Sequence, residues 1–358
     1  MTGRPPDSVL FSAEDLQRYA AELLAGGGFG RQQAEQTAEV LVWANARGVD
    51  SHGVLRIPRY VEMVEAGTID PAAKPAVTAR NGAISVLEAS RAPGASAMTA
   101  AMQEAVAQSS RFGVGWCAAR NITHAGAIGY YALKAAAQGF IGIVMTASGP
   151  LMAYHGSRGS AVSTNPLAIA VPAKPDPIVL DMSTANVALG KVMAARDAGH
   201  SIPSNWGIDE KGQPTTDPHK VATLTPLGGP KGAGLSLMIE ILASVLASNP
   251  VIAPALAGKG SGRMNGLAIA VQIDAFGRAD GFAQQVAQLA HALKAVPLAA
   301  GTSSILMPGE RGFADAAARR AAGIPLPPGT VARLAKLAGR FAVGPPSPVG
   351  TAPEGARR

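Results

Sequence analysis

Between residues 83 and 181 short apolar runs alternate with alanine-rich stretches, a rhythm that few architectures accept. Ala83-Ile84-Ser85-Val86-Leu87-Glu88 is strand-like, Ala95 to Gln108 reads as a helix, and Gly113 to Arg120 reads as a buried strand. Asn121 to Tyr130 passes from a loop into a helix reaching Gln138, and Ile141 to Thr146 closes a β-α-β-like passage. Two more strands, Leu167 to Pro172 and Ile178 to Asp181, follow the sharp turn Ser163-Thr164-Asn165-Pro166. The class expected is α/β.

A helical unit precedes this passage. Ser12 stands before Glu14 and Asp15 as an N-cap stands before an acidic first turn, and Leu16, Tyr19, Ala20, Leu23 and Leu24 recur at helical spacing up to Gly26-Gly27-Gly28. Arg31 to Ala46 is a second amphipathic helix, with Ala34, Ala38, Leu41 and Val42 on one face. After the strands, Ile202 to Lys220 is polar and turn-rich and reads as a surface hairpin and lid-like loop. Ala233 to Leu246 reads as a long helix, Gly266 to Asp274 as a strand, and Phe282 to Ala295, Phe313 to Ala322 and Thr330 to Phe341 as helices.

Composition removes several functions. A chain of 358 residues with 47% hydrophobic content is long and apolar enough for a large core. Its net charge of +7 is spread along the sequence, and three Trp, five Tyr and eight Phe leave little for base stacking, so nucleic acid is not the expected partner. An anionic substrate or cofactor is. The apolar windows are too short or too charged to span a bilayer, and residues 1–8 hold no secretory h-region. The single cysteine, Cys117, lies in an apolar run and reads as a buried small hydrophobe in a reducing, cytoplasmic compartment.

Polar chemistry concentrates between Ala46 and Tyr60. Ser51, His52 and Arg56 put a hydroxyl, an imidazole and a fixed cation within six residues, and a helix there places His52 and Arg56 on one face. A guanidinium grips a carboxylate while the imidazole beside it exchanges a proton. Gly48, Gly53 and Pro58 also allow a plain solvated helix end, with Pro58 as its stop. Three other segments read as ligand walls. The His124 to Tyr130 loop opens a helix whose N–H groups suit a phosphate, Asp181 ends an apolar strand ahead of Ser183, Thr184 and Lys191, and Leu227 to Gly232 is a glycine-rich turn with Lys231 at a helix start. This last turn lacks the P-loop spacing.

Other motifs fail. Gly113-Val114-Gly115-Trp116-Cys117-Ala118 matches the loose dinucleotide pattern but runs into a strand where a Rossmann turn must run into a helix. The six histidines show no metal-ligand spacing, so no metal is expected. No nucleophile elbow is present.

Taken together, Arg47-Gly48 with Ser51-His52-Gly53 and Arg56, the His124-Ala125-Gly126 turn, Thr164-Asn165-Pro166, Leu180-Asp181-Met182-Ser183-Thr184 with Gly190-Lys191, Pro203 with Trp206, Asp209 and Gly212, Thr216-Asp217-Pro218, Lys231-Gly232 and Pro308-Gly309-Glu310 resemble the malate/L-lactate dehydrogenase family of the non-Rossmann type. That family includes ureidoglycolate, sulfolactate and diketogulonate members and Δ1-piperideine-2-carboxylate reductases. The resemblance implies an α/β, non-Rossmann nicotinamide-binding fold of the L-sulfolactate dehydrogenase-like type. Its units would be a helical N-terminal domain at 1–74, a nicotinamide-binding domain at 75–300, C-terminal helices at 301–341 packing back on the N-terminal unit, and a disordered tail at 342–358.

The resemblance also implies a homodimer that exchanges a hydride between NAD or NADP and C2 of a small 2-hydroxy acid. His52 or His124 would be the acid/base, with Ser51 as a relay to His52. Arg56 and Thr164 would hold the carboxylate, with Ser183 and Thr184 facing the substrate. His124, Ala125, Gly126, Ala127, Ile128, Leu180, Asp181, Met182, Lys231, Gly232, Met307, Pro308, Gly309 and Glu310 would line the dinucleotide. Lys191 would polarise the carbonyl or stabilise a partner's charge. It favours a hydroxy-acid dehydrogenase, because the imino-acid reductases carry Asp there. The alternatives are a cyclic imino-acid reductase and a dinucleotide-binding relative without turnover. Ser163, Ala185 and Ala153-Tyr154-His155-Gly156 depart from the family pattern beside the expected substrate and cofactor walls.

Overall fold

The computed structural model describes residues 7–260, 263–277 and 281–351. A short strand, β1 (Val9–Phe11), leads into α1 (Ala13–Gly26) and α2 (Arg31–Ala46). The Ser12 hydroxyl accepts the Asp15 N–H at 3.0 Å, which satisfies one of the free donors at the start of α1. Both helices bury the faces expected from spacing. Next comes α3 (Ile57–Glu65), where Pro58 sits in the first turn instead of ending a helix, because no intrahelical hydrogen bond is lost there.

The chain continues through β2 (Ala76–Asn81), β3 (Ile84–Glu88), α4 (Gly94–Phe112), β4 (Val114–Ile122), α5 (Gly129–Ala136) and β5 (Phe140–Ala147). Then follow β6 (Met152–Ala153), β7 (Ser160–Val162), β8 (Leu167–Val171), β9 (Ile178–Met182), α6 (Leu189–Asp197), β10 (Gly207–Ile208) and β11 (Thr223–Leu224). α7 (Pro230–Glu240) runs on as a π-helical turn, Ile241–Val245, before α8 (Ile252–Leu256) and β12 (Met264–Gln272). The described chain ends with α9 (Phe282–Lys294), α10 (Glu310–Ala322), β13 (Ile324–Leu326), α11 (Pro328–Phe341) and β14 (Gly350–Thr351).

Seven strands form the main sheet in the order β2-β3-β4-β12-β5-β8-β9. β3 and β4 pair in parallel across α4, as a β-α-β unit must. β4 and β5, expected to close such a passage around α5, are not neighbours, because β12 lies between them antiparallel to both. Six consecutive residues of β12, Asn265 to Ala270, are buried, which suits a strand covered on both faces. Cys117, Val144, Ala168, Ala170, Ala268 and Ala270 form the core with Met98 of α4 and Tyr131 of α5. Burial pushes the Cys117 thiol up to about 12, so it is inert.

Residues 202–220, expected as a surface hairpin and lid-like loop, contribute β10, which pairs antiparallel with β11 in a second sheet, β10-β11-β6-β7, over a small core of Met152, Val162, Val192, Ile202 and Leu224. Ile202 and Ile208 anchor this otherwise polar stretch by burial. A third sheet, β13-β1-β14, corrects the reading of a disordered tail from residue 342 as far as Thr351. Val349 N–H donates to Leu10 O at 2.8 Å, so the tail satisfies one edge of β1. Residues 352–358 lie outside the described residues. Leu334 and Ala338 of α11 join Leu16, Leu23, Leu41 and Ile57 in one core. No helix among the described residues is long and apolar enough to cross a membrane.

Candidate active site

α2 ends at Ala46 with Arg47 as its C-cap, and Gly48 (φ +76°) turns the chain into two single 3-10 turns, Asp50–His52 and Val54–Arg56. One helical face carrying His52 and Arg56 does not form. Gly53 (ψ −159°) breaks it, and a Cβ there would meet Asn45 Oδ1 at 2.1 Å. Arg56 still folds back, its Nε donating to Ser51 O at 2.7 Å, which leaves its two terminal nitrogens without a partner among the described residues.

His52 faces His124, which follows β4, with ring centroids 5.5 Å apart and planes at 16°. The Nδ1 of His124 takes two contacts, Gly126 N–H at 3.3 Å and the Tyr60 hydroxyl at 2.7 Å. A backbone N–H only donates, so this Nδ1 offers a lone pair, the Tyr60 hydroxyl donates as well, and the ring proton of His124 resides on Nε2. Burial pushes the Tyr60 phenol well above its usual range, which keeps that donor. Burial, then His52 and Arg56, depress His124 to about 3. His52 falls to about 4 through burial and Arg56. Its Nδ1 lies 3.0 Å from Ser51 Oγ, a partner that can donate or accept. His52 is therefore free to change tautomer, and His124 is held in one.

Several of the residues expected along the cofactor lie close together around β9. Asp181 Oδ2 accepts Gly129 N–H at 2.8 Å, so this carboxylate already caps α5 and the start of that helix is not an open phosphate cradle. Desolvation of its carboxyl by the neighbouring protein raises Asp181 against the opposing pull of Gly129 N–H and Arg47, while the residue as a whole stays exposed. Leu180 and Met182 are half-buried beside it on the edge strand β9, and Gly126 is half-buried while Ala125, Ala127 and Ile128 are buried beneath. Residues 307–310 dock onto β9, with Val179 N–H donating to Pro308 O at 3.1 Å and Arg47 Nη2 donating to Gly309 O at 3.2 Å. Glu310 accepts Met307 N–H at 3.0 Å and pairs with Lys294 at 2.5 Å. Lys231 is exposed in the first turn of α7, and Gly232 is buried, its N–H on Leu227 O at 2.7 Å.

Of the substrate residues, Thr164 and Ser183 are half-buried. Thr184 has no accessible surface, and its Oγ1 has no partner among the described residues, so it lies beneath the wall and not on it. Gly190 lies against Ser51, where an added Cβ would stand 3.8 Å from Ser51 Cβ. This brings the exposed Lys191 to the same side of the site, with no ion pair among the described residues.

A nicotinamide dinucleotide fits these groups. The neutral imidazole pair, the half-open strand β9, the glycine turn at Gly309 (φ +91°) and the Lys231 cation supply apolar, hydrogen-bonding and anion-binding surface. The decoy glycines are spent elsewhere. Gly113 (φ +81°) is the left-handed C-cap of α4, and Gly115 lets β4 approach that helix. No group of three His, Cys, Asp or Glu suited to a metal gathers among the described residues. Tyr60 and Asn45 escaped the sequence reading. Tyr60 had a faint signal, an aromatic hydroxyl on the helix following the Ser-His turn, whereas Asn45 looks like any polar helical residue.

Residues 11–335 match the family model described as Malate/L-lactate dehydrogenase. The chain is 35% identical over 307 residues to ureidoglycolate dehydrogenase (NAD(+)) of Escherichia coli strain K12, covering 84% of this chain and 87% of that protein. The solved malate dehydrogenase of Pyrococcus horikoshii superposes with a TM-score of 0.87 at 29% identity, covering 96% of this chain and 99% of the other. For sulfolactate dehydrogenase of Methanocaldococcus jannaschii the TM-score is 0.83 at 30% identity, with 94% and 98% covered.

Proposed function

The chain belongs to the malate/L-lactate dehydrogenase family, and on that premise we propose that it interconverts a small 2-hydroxy acid and its 2-oxo acid with a nicotinamide dinucleotide, His52 moving the proton. The stacked imidazoles carry this reading, because one tautomer is fixed by Gly126 and Tyr60 and the other is not. A nicotinamide held along the His124–Ile128 turn, β9 and residues 307–310 would supply the hydride chemistry at C2. His52 takes the hydroxyl proton on Nε2 when its Nδ1–H points at Ser51 Oγ, and Ser51 passes charge toward solvent. His124 offers Nε2–H to the same oxygen and stabilises negative charge as it develops. The free end of Arg56 grips the carboxylate, Thr164 supports it, and Lys191 adds positive potential at the rim.

Arg56→Lys loses the two-pronged grip, so KM for the acid is expected to rise roughly tenfold to hundredfold with kcat far less affected. Steady-state kinetics decide this, and an unchanged KM removes Arg56 from carboxylate binding. The pH dependence has a definite sign. A base whose pKa is lowered to about 4 keeps its lone pair at neutral pH, so kcat/KM for hydroxy-acid oxidation should fall only as the pH drops toward that value. An acid limb near pH 7 would assign the proton transfer to another group.

The defining experiment follows reduced-nicotinamide absorbance with NAD and NADP against malate, lactate, sulfolactate, ureidoglycolate and cyclic imines. Turnover of a hydroxy acid is the expected result, and turnover of cyclic imines alone overturns it. Met238, Ile241, Val245 and Leu246 form an exposed apolar stripe along α7 and its π-helical extension, which a second copy of the chain would cover in a homodimer. A sedimentation mass of one chain would refute that. The buried, inert thiol suits the cytoplasm.

A further inference from the structure

We propose that Arg319 is a positioning residue for His52, and that through it α10 holds the proton-transfer turn in register with the turn at 307–310. This rests on the reading of His52 as the acid/base.

The His52 turn has little of its own to hold it. Asp50–His52 contains no buried side chain, each 3-10 turn is a single turn, and Gly53 between them is extended. Its position is set from outside. Arg319, in the last turn of α10, places two guanidinium nitrogens on the Asp50 carboxylate at 2.7 and 3.1 Å and donates a further bond to Asn45 O. Only 11% of the Arg319 side chain is exposed, so the pair is shielded from solvent on the arginine side. Asn45 completes the clamp, with Nδ2 donating to Asp50 Oδ1 at 2.7 Å and Oδ1 accepting Val54 N–H at 2.8 Å. Asp50 and Val54 bracket Ser51, His52 and Gly53, so both ends of the turn are tied to one guanidinium and one amide. Two parallel bonds fix orientation as well as distance, which a lysine ammonium cannot do.

The other end of α10 grips the same loop. The Gly309 carbonyl accepts Arg47 Nη2, and the Arg47 guanidinium lies 4.0 Å from the Phe313 ring. α10 therefore holds residues 47 and 50 together while Pro308 is bonded to β9. A helix is stiff over this length, so displacement of the 307–310 turn is transmitted through Arg319 to His52.

The test uses Arg319→Gln and Arg319→Lys, each alone and combined with His52→Ala. Arg319→Gln should lower kcat about tenfold to hundredfold, as a misplacement of about 1 Å does, with KM for the acid and fluorescence-titrated dinucleotide affinity within about threefold of the parent. Arg319→Lys should fall between them. In the His52→Ala background Arg319→Gln should change kcat by less than about twofold, because the residue it positions is gone. The same fractional loss in both backgrounds would show that Arg319 supports the fold at large and overturn the inference. Parental activity of Arg319→Gln would overturn it too. A fully active His52→Ala enzyme would instead sink the acid/base assignment, which that single variant reports alone. Should Arg319→Gln fail to fold, Arg319→Lys carries the same two-background comparison.

Discussion

His52→Ala is expected to lower kcat by about two to four orders of magnitude while dinucleotide affinity stays within about twofold. The loss follows from removing the imidazole that can exchange its proton, since Ser51 alone is too weak a base to replace it. His124→Gln keeps an N–H donor near the same place and should cost only about tenfold. The ratio of the two losses, from steady-state rates and dinucleotide titrations, distinguishes a proton carrier from an electrostatic partner. If His124→Gln proves the more damaging, the roles of the two rings are exchanged.

Gly115→Ala should be among the most destabilising single-methyl changes in the chain. An alanine Cβ there would stand 1.8 Å from Ala105 O and 2.8 Å from Ser109 N, backbone atoms of α4 that cannot rotate aside. Overpacking of a well-filled core costs about 1–3 kcal/mol when side chains can move. With backbone as the obstacle the cost should reach about 3 kcal/mol or more. That lowers the thermal midpoint by roughly 4 °C. Gly234→Ala is the control, for Gly234 lies inside α7 with nothing within 4 Å of the added methyl. It should be stabilising by about 0.5–1 kcal/mol. Calorimetry of the two variants separates a glycine kept for clearance from one that is not.

Local information was legible where it was strong. Ser12 and the apolar spacing marked α1, and α2 spans the residues read for it. What failed was long-range. The place of β12 between β4 and β5 depends on pairing across more than a hundred residues, and no spacing within either strand encodes it. Pro58 and the proline-rich tail misled because proline marks a helix start as readily as a stop, and because Val349 still had an N–H to give β1.

The same contrast holds at the site. Ser51, His52, Arg56 and the His124 turn could be read because polar groups crowd into short segments of an apolar chain. Tyr60, Asn45 and Arg319 act by contacts that only the fold creates, the last across 269 positions from Asp50. Asp181 also caps α5 through Gly129, a second duty that the sequence does not reveal, because a carboxylate that caps a helix and one that meets a ligand look alike in sequence.

The central position of β12 also dictates an order of events during synthesis. Until residues 264–272 leave the ribosome, β4 and β5 each present an unpaired edge, and the strands on either side belong to two separate halves. Burial of the shared interior must wait for a segment three-quarters of the way along the chain, so contact order is high and acquisition of the native state is slow. The nascent intermediate exposes two adjacent sticky borders with a gap one strand wide between them. A chain cut short of residue 264 is therefore expected to keep both borders open, a consequence of where one strand was inserted.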